Sequence, residues 1–389
     1  MGTCDWSYAV RASRDETFTV IRRSGILSEQ DTTLANVLCA DDPMLVVTTP
    51  TVDRFYGDRL RRYLSANVSV PVSHLVLACS ESRKGMEQVL AVCDRAADAR
   101  LARRSQIVCV GGGVSLDLCG LAATLFRRGI RLVRVPTTLI GMIDAGIGVK
   151  NGINFGGSKS LLGAFSTPEA CIIDPSFLAT LPRRHLQCGL AESIKIATMC
   201  SPELFARLED CADWLLREDV GLPYESAEEL IQLSVYWTLE ELKLNLFERN
   251  ELFSGDYARK LDFGHTFSPY LEAASGHRLL HGEAVAIDMA LAAEVAHSLG
   301  VLDDTSRSRI VSLLRRLDLP ISYPDLNAAA LFASLESIVR HRNGNLNLVL
   351  PSGIGSAVFL SRSDLNADLF EEAARRLSSP RSVPDIGHD

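Results

Sequence analysis

The sequence predicts an α/β amino-terminal domain, residues 1–180, joined to a mainly α-helical carboxy-terminal domain, residues 181–389. Three observations predict it. Strand and helix signals alternate through the first half, the order of a parallel sheet covered by helices. A glycine-rich turn joins a strand to a helix within that half. Beyond Pro182 the segments take on helical spacing almost throughout.

Taken in order, PMLVVTT (43–49) reads as a buried strand and DRFYGDRLRRYL (53–64) as a helix. SHLVLAC (73–79) is a second strand, and KGMEQVLAVCDRAADARL (84–101) a second helix. Ile107–Val110 then runs as a strand into the glycine turn, with a helix from Ser115 onward. RLVRVPTT (131–138) and ACIIDP (170–175) are later strands. Pro175 and Pro182 bracket a connecting segment, read as a linker. The second half offers helices in CGLAESIKIATM, PELFARLEDCADWLL, SAEELIQLSVYWTLEELKLNLF and RSRIVSLLRRL, and one late strand, LNLVLP, before the turn PSGIG. The polar tail SSPRSVPDIGHD is expected to fray.

With 389 residues the chain is long enough for two cores, and 47% hydrophobic against 23% charged residues is ordinary for a globular enzyme. A formal charge of −8 argues against non-specific binding to nucleic acid or membranes. The first residues lack an apolar targeting segment, and no apolar run reaches the length of a membrane span. Ten scattered cysteines with no C-x-x-C pair read as thiols in a reducing compartment, so the expected location is the cytoplasm.

Two features carry chemistry. The run SQIVCVGGGVSLD places Gly111, Gly112 and Gly113 between strand and helix, where small residues let a phosphate approach the N–H groups of the helix start. The dinucleotide fingerprint G-x-G-x-x-G is incomplete, because Leu116 holds its last glycine position. The turn therefore suggests a nucleotide pyrophosphate in a variant site, against the simpler reading of a tight strand-to-helix connection. The second feature is Glu192 in GLAESIKIA, His265 in LDFGHTFSPYLEA and His281 in LLHGEAVAIDMA, each in a segment read as helical. One carboxylate and two imidazoles form a ligand set suited to Zn²⁺ with an open coordination position; three unrelated helix residues are the alternative.

Six motifs in this order, GGGVSLD, RRG, VPTTLIGMIDAGIGVK, GLAESIK, DFGHTFS and LHGEAVA, resemble the sugar phosphate cyclases, the superfamily of 3-dehydroquinate synthase. The resemblance spans most of the chain. It implies a dehydroquinate synthase-like fold with an NAD-binding α/β domain and a helical domain, NAD⁺ and Zn²⁺ (or Co²⁺) as cofactors, a homodimer, and a cleft between the domains. By the same resemblance Glu192, His265 and His281 hold the metal, and Glu81, Lys84, Gly112, Gly113, Asp117, Thr137 and Thr138 face NAD⁺. Asp144, Lys150, Lys195 and Asp262 are the implied catalytic residues. Arg128, Asn154, Lys159 and His341 are the implied substrate and phosphate ligands, Arg128 reaching into a neighbouring subunit. The small residues around Lys150 and Lys159 read independently as a close-fitting anion loop.

Departures within the family select a branch. Ala258 and Glu240 stand where dehydroquinate synthases place the arginine and lysine that bind a substrate carboxylate. An acid facing a desolvated carboxylate is repulsive. Asp262 and Pro269, with the segment VRHRNG around His341, resemble the cyclases that convert sedoheptulose 7-phosphate to 2-epi-5-epi-valiolone. The implied reaction oxidises the sugar transiently with NAD⁺, eliminates phosphate, re-reduces, and closes the ring by an intramolecular aldol step. Ser160 and Thr49 depart from the pattern even there, which keeps a 2-epi-valiolone-forming sibling as an alternative. A metal-dependent NAD polyol dehydrogenase is the alternative of a different class.

Overall fold

A computed structural model describes residues 8–10, 16–215, 224–244, 259–323, 328–341 and 347–378. Apolar runs with no polar alternation demand burial on both faces, and the strands β2 (Met44–Thr48) and β4 (Gln106–Gly111) meet that demand, every residue of each being buried. With β1 (Thr19–Arg22), β3 (Val72–Val76), β5 (Arg131–Pro136) and β8 (Ala170–Ile173) they form one parallel sheet in the order β1-β8-β5-β4-β2-β3. Successive side chains leave β2 on opposite sides. Leu45 and Val47 join a core with helices α2 (Met86–Asp98) and α3 (Gly113–Leu125). Met44 and Val46 join a larger core that takes in α1 (Pro50–Asn67) and runs on into the helical half.

The chain passes from β2 to β3 on one side of the sheet, then returns to the other side of β2 to begin β4. The direction of winding therefore reverses between β2 and β4, and the carboxyl ends of these strands open the crevice that such sheets use for ligands.

The second half centres on two nearly sealed helices, α4 (Arg183–Cys200) and α8 (His281–Ser298), each with 14 buried residues. Helices apolar on all sides belong at the centre of a bundle. Around them lie α5 (Pro202–Leu215), α6 (Tyr224–Leu244), α7 (Ser268–Ala274), α9 (Asp304–Arg316), α10 (Ala328–His341) and α11 (Ala367–Leu377). A hairpin of β9 (Leu348–Gly353) and β10 (Ser356–Leu360) completes the bundle. Among the described residues no helix is long and apolar enough to cross a membrane, and nine cysteines are free thiols.

Several local expectations change. The Pro175–Pro182 connection is not a loose linker: Pro175–Thr180 form a 3₁₀ turn with Pro175, Phe177 and Leu178 buried, capped by Asp174. The lysine-bearing run is not a loop but an antiparallel hairpin, β6 (Lys150–Phe155) and β7 (Ser158–Phe165). Its turn is Gly156-Gly157, with φ of +57° and +79°, the left-handed pair that two-residue hairpins require. The helix after the glycine turn starts at Gly113, earlier than Ser115.

The backbones of α4 and α8 touch. A Cβ on Gly282 would lie 2.3 Å from Cys188 Cα and 2.5 Å from its carbonyl oxygen. Only glycine permits this approach, and it brings the first residue of α8 beside the α4 turn that carries Glu192. Gly282→Ala is expected to cost about 1–3 kcal/mol through overpacking and to lower the thermal unfolding midpoint of the purified protein. An unchanged midpoint would show that the helices part freely here.

Candidate active site

Glu192 sits mid-helix in α4 with no exposed surface, and neither carboxylate oxygen accepts a hydrogen bond of good geometry. Such a group is costly unless a cation meets it. Lys195 Nζ lies 2.6 Å from one oxygen. Two imidazoles approach the other, His281 Nε2 at 3.2 Å and His265 Nε2 at 3.6 Å. One ligand atom from each of the three residues falls within 4.8 Å of the others. Tetrahedral zinc with bonds of about 2.0–2.1 Å separates its ligand atoms by roughly 3.3 Å, so the set is close to the required size.

The outer hydrogen bonds aim the rings. His265 Nδ1 lies 3.0 Å from the Phe263 carbonyl, which can only accept, so Nδ1 carries the proton and the Nε2 lone pair faces Glu192. Burial, then the charge of Lys195, push this imidazole down to about 4, so it is neutral as a metal ligand must be. His281 Nδ1 lies 2.9 Å from Glu272 Oε1, the carboxylate–histidine arrangement that orients metal ligands. Burial alone would raise Glu272, but the His281 hydrogen bond and charge, with Lys159, hold it down at about 2. The donor set fits a zinc-type ion. His265 is not on a helix as its spacing suggested; it lies in the turn between a 3₁₀ segment ending at Asp262 and α7. That turn lets the imidazole reach sideways toward α4, which a continued helix could not.

The loop joining β5 to β6 links this centre to the sheet. Thr137 N–H donates to the Gly111 carbonyl at 2.9 Å, and a Cβ on Gly112 would lie 3.0 Å from Thr138 Cγ2. A Cβ on Gly111 would meet Ser115 Oγ at 2.1 Å, so these glycines serve close approach. No side chain caps the start of α3 among the described residues, which leaves its first N–H groups for a ligand. Thr49 caps α1 through the Val52 N–H beside this turn. Farther along, a Cβ on Gly189 of α4 would lie 2.4 Å from Leu139 Cβ. Asp144 then sits in a π-helical turn, and its charge acts on both Lys150 and Lys195.

Lys150 begins β6 and keeps solvent access, yet protein crowds its ammonium. Burial first, and then the charge of Arg259, push it down to about 8 against the pull of Asp262 and Asp144. Lys84 and Asp117, both expected at the nucleotide, are paired with one another at 2.5 Å. Asn154 donates to the Glu81 carboxylate at 3.1 Å and to its carbonyl at 3.0 Å, tying the hairpin to the Glu81–Lys84 turn. Lys159 crosses from β7 to Glu272, with contacts of 2.6 and 2.7 Å, and stands 3.3 Å from His281 Nδ1.

Other expected residues fall elsewhere. Arg128 lies on an exposed turn with φ of +65° and makes no ion pair among the described residues. Glu240 pairs with Lys243 on α6, and the acid that approaches the 260–262 turn is its neighbour Glu241, 3.6 Å from Lys260. Pro269 opens α7. Ala258 and the side chain of His341 lie outside the described residues. Glu272 and Arg259 were not anticipated. Glu272 resembles any acid on a short helix until His281 is seen against it, and Arg259 adjoins a position read as alanine.

A ligand crevice at a sheet switch point, bridged to a Glu-His-His set that could hold a cation in a helical bundle, is the arrangement of a metal- and dinucleotide-dependent enzyme of α/β-plus-helical architecture. Residues 74–188 match the 3-dehydroquinate synthase N-terminal family and residues 189–338 the 3-dehydroquinate synthase C-terminal family. The chain belongs to the 3-dehydroquinate synthase family. It is 43% identical over 337 residues to a 2-epi-5-epi-valiolone synthase of Streptomyces glaucescens, covering 85% of this chain and 83% of that one. A 3-dehydroquinate synthase of Synechococcus is 38% identical over 87% of this chain and 88% of its own. The solved structure of a 2-epi-5-epi-valiolone synthase from Streptomyces hygroscopicus subsp. jinggangensis, with NAD⁺ and Zn²⁺ bound, superposes with a TM-score of 0.88. That pair shares 39% identity over 95% of this chain and 99% of that chain.

Removing the carboxylate behind His281 should loosen the ion without destroying its primary ligands. Glu272→Ala is expected to weaken Zn²⁺ binding roughly 10–100-fold, measured by chelator competition on folded protein. Affinity equal to that of the unaltered chain would remove Glu272 from the site. Glu192→Ala should abolish stoichiometric metal altogether.

Proposed function

We propose that this chain is a sedoheptulose 7-phosphate cyclase that releases phosphate and forms 2-epi-5-epi-valiolone, working as a cytoplasmic homodimer with NAD⁺ and Zn²⁺ or Co²⁺. The observation that carries the choice of substrate is Asp262. Its charge acts on Lys150 and on Lys195, so it belongs to the cleft, where a substrate carboxylate would meet it as a like charge. A sugar phosphate without a carboxylate meets only a hydrogen-bond acceptor there. Similarity alone does not separate the branches, since relatives of both kinds lie near 40% identity.

Glu192, His265 and His281 would hold the metal, and the Gly111–Gly113 turn with Thr137 and Thr138 would receive NAD⁺. Bound together, these groups supply reversible hydride removal and polarisation of a substrate oxygen. Lys150 would bind the phosphate as a cation, with the charges of Asp144 and Asp262 favouring its protonated form and their carboxylates orienting substrate hydroxyls. Lys195 neutralises Glu192 while facing Asp144 and Asp262. Enclosing both ends of an open-chain sugar in one cleft favours its ring closure. Arg128, on its exposed turn, is available to a neighbouring subunit. The shorter Ser160 beside Lys159 supports a second reading, a 2-epi-valiolone-forming sibling, which differs only in product stereochemistry.

Sedoheptulose 7-phosphate should yield one phosphate per cyclitol, identified by NMR, with no net rise in reduced-nicotinamide absorbance; steady NADH release would instead indicate a polyol dehydrogenase. Asp262→Asn should cripple turnover without conferring activity on a carboxylated heptulosonate phosphate. Good dehydroquinate formation by the unaltered protein would overturn the branch assignment. Because the ammonium of Lys150 is lost as pH rises through about 8, kcat/KM, which reports the free enzyme, should fall above that pH. Lys150→Arg should retain anion binding at higher pH, and an identical alkaline limb in that variant would exclude Lys150.

A further inference from the structure

We infer that Arg134 is a positioning residue for the active site: its buried guanidinium braces the 144–151 backbone from beneath and so fixes where Asp144 and Lys150 stand. Arg134 lies in the middle of β5 with no exposed surface. One terminal nitrogen, Nη1, donates to the carbonyls of Ala145 at 3.3 Å, Gly146 at 3.1 Å and Gly148 at 2.6 Å. The other, Nη2, donates to Asn151 Oδ1 at 2.5 Å. All four acceptors fall between Asp144 and Asn151, so the brace grips the loop at both of its functional ends.

Asn151 extends the hold. Fully buried, it donates to the Val149 carbonyl at 3.2 Å and to Ser166 Oγ at 3.0 Å, joining the start of β6 to the end of β7. Gly120 makes room for the pair, because a Cβ there would lie 1.7 Å from Asn151 Oδ1 and 3.1 Å from Arg134 Nη2. Glycine, arginine and asparagine from three separate elements thus form one polar post inside an otherwise apolar sheet face. The loop explains the need. Its residues 144–149 form neither strand nor α-helix, and its inward carbonyls must find donors away from water. An always-charged planar fork aims donors from two separate nitrogens in fixed directions, whereas lysine offers a single nitrogen. No carboxylate is paired directly with Arg134 among the described residues; the loop carbonyls take its hydrogen bonds, and the charge of Asp117 acts on it from nearby.

The roles of Asp144 and Lys150 in turnover rest on the proposed cyclase reading; the brace does not. The test therefore reads Lys150 without substrate. Competitive labelling of lysine amines across pH, followed by mass spectrometry, should give Lys150 a midpoint near 8 in the unaltered protein. In Arg134→Met the midpoint should move up toward the ordinary lysine range as the loop relaxes, with Arg134→Lys intermediate. Asn151→Ala removes the acceptor for Arg134 and the donors to Val149 and Ser166 without adding a charge beside Lys150, and serves if Arg134→Met fails to fold; it should shift the midpoint in the same direction. With sedoheptulose 7-phosphate, Arg134→Met should lose roughly 100-fold in kcat/KM, the scale of a misplacement near 1 Å. Leu60→Ala, destabilised in α1 instead, should leave the midpoint unmoved. A folded Arg134→Met or Asn151→Ala with the original Lys150 midpoint overturns the brace. A shifted midpoint in a protein that turns over no sugar phosphate upholds the brace and removes the cyclase reading.

Discussion

A carboxylate sealed between two central helices must be met by positive charge, and much of the cleft is arranged around Glu192. Its position follows from packing, since α4 and α8 approach so closely at Cys188 and Gly282 that no side chain fits between them. The contact seats the start of α8 against Cys188, one helical turn before Glu192, and so brings His281 to that carboxylate. The α8 helix cannot slide away, because its other faces are also buried. The third ligand, His265, arrives by a different route. Asp288 of α8 accepts hydrogen bonds from the Phe267 and Ser268 N–H groups at 2.6 and 3.0 Å, which anchors the turn carrying His265 to the same helix. One buried helix pair thus determines all three ligand positions.

The sheet and the bundle are coupled through a single stretch of chain. Residues 137–151 leave the nucleotide turn at Thr137, touch α4 at Leu139, present Asp144 and Lys150, and return into the hairpin. This stretch contains three glycines whose missing side chains are replaced by neighbours. A Cβ on Gly141 would lie 3.0 Å from Thr138 Oγ1, one on Gly146 2.3 Å from the Gly141 carbonyl, and one on Gly148 3.2 Å from the Asp144 carbonyl. A loop so tightly folded cannot drift independently of either half. That geometry explains how a strand-end loop can serve a nucleotide crevice and a cation site together.

Much of this was legible in the residues, and what was not has identifiable causes. β2, β4 and β8 announced themselves because strands buried on both faces read as nearly unbroken apolar runs. The Glu-His-His set was visible through ligand chemistry and family resemblance, but not the turn that holds His265. β1 escaped notice because it is four residues long and pairs with Ala170–Ile173, far away in sequence. The β6–β7 hairpin did carry a signal, Gly156-Gly157 between alternating residues, which the expectation of an anion loop obscured. Arg134 also carried one, as a charged residue inside a strand that otherwise reads LVRVP. Glu272 had none, since its meaning depends wholly on the tertiary placement of His281 and Lys159.

The contacts around the cation site form an alternating chain: Lys159, Glu272, His281, Glu192, Lys195. Its first member comes from the sheet-side hairpin and the rest from the helical half. Any movement that draws the hairpin from α7 must part Lys159 from Glu272, a charged hydrogen-bonded contact of about 1.5–3 kcal/mol. Glu272 would then keep its hydrogen bond with His281 without the competing lysine, and the balance that orients the imidazole would change. The His281 side of the candidate ion site and the seating of the hairpin on α7 therefore share one carboxylate, Glu272.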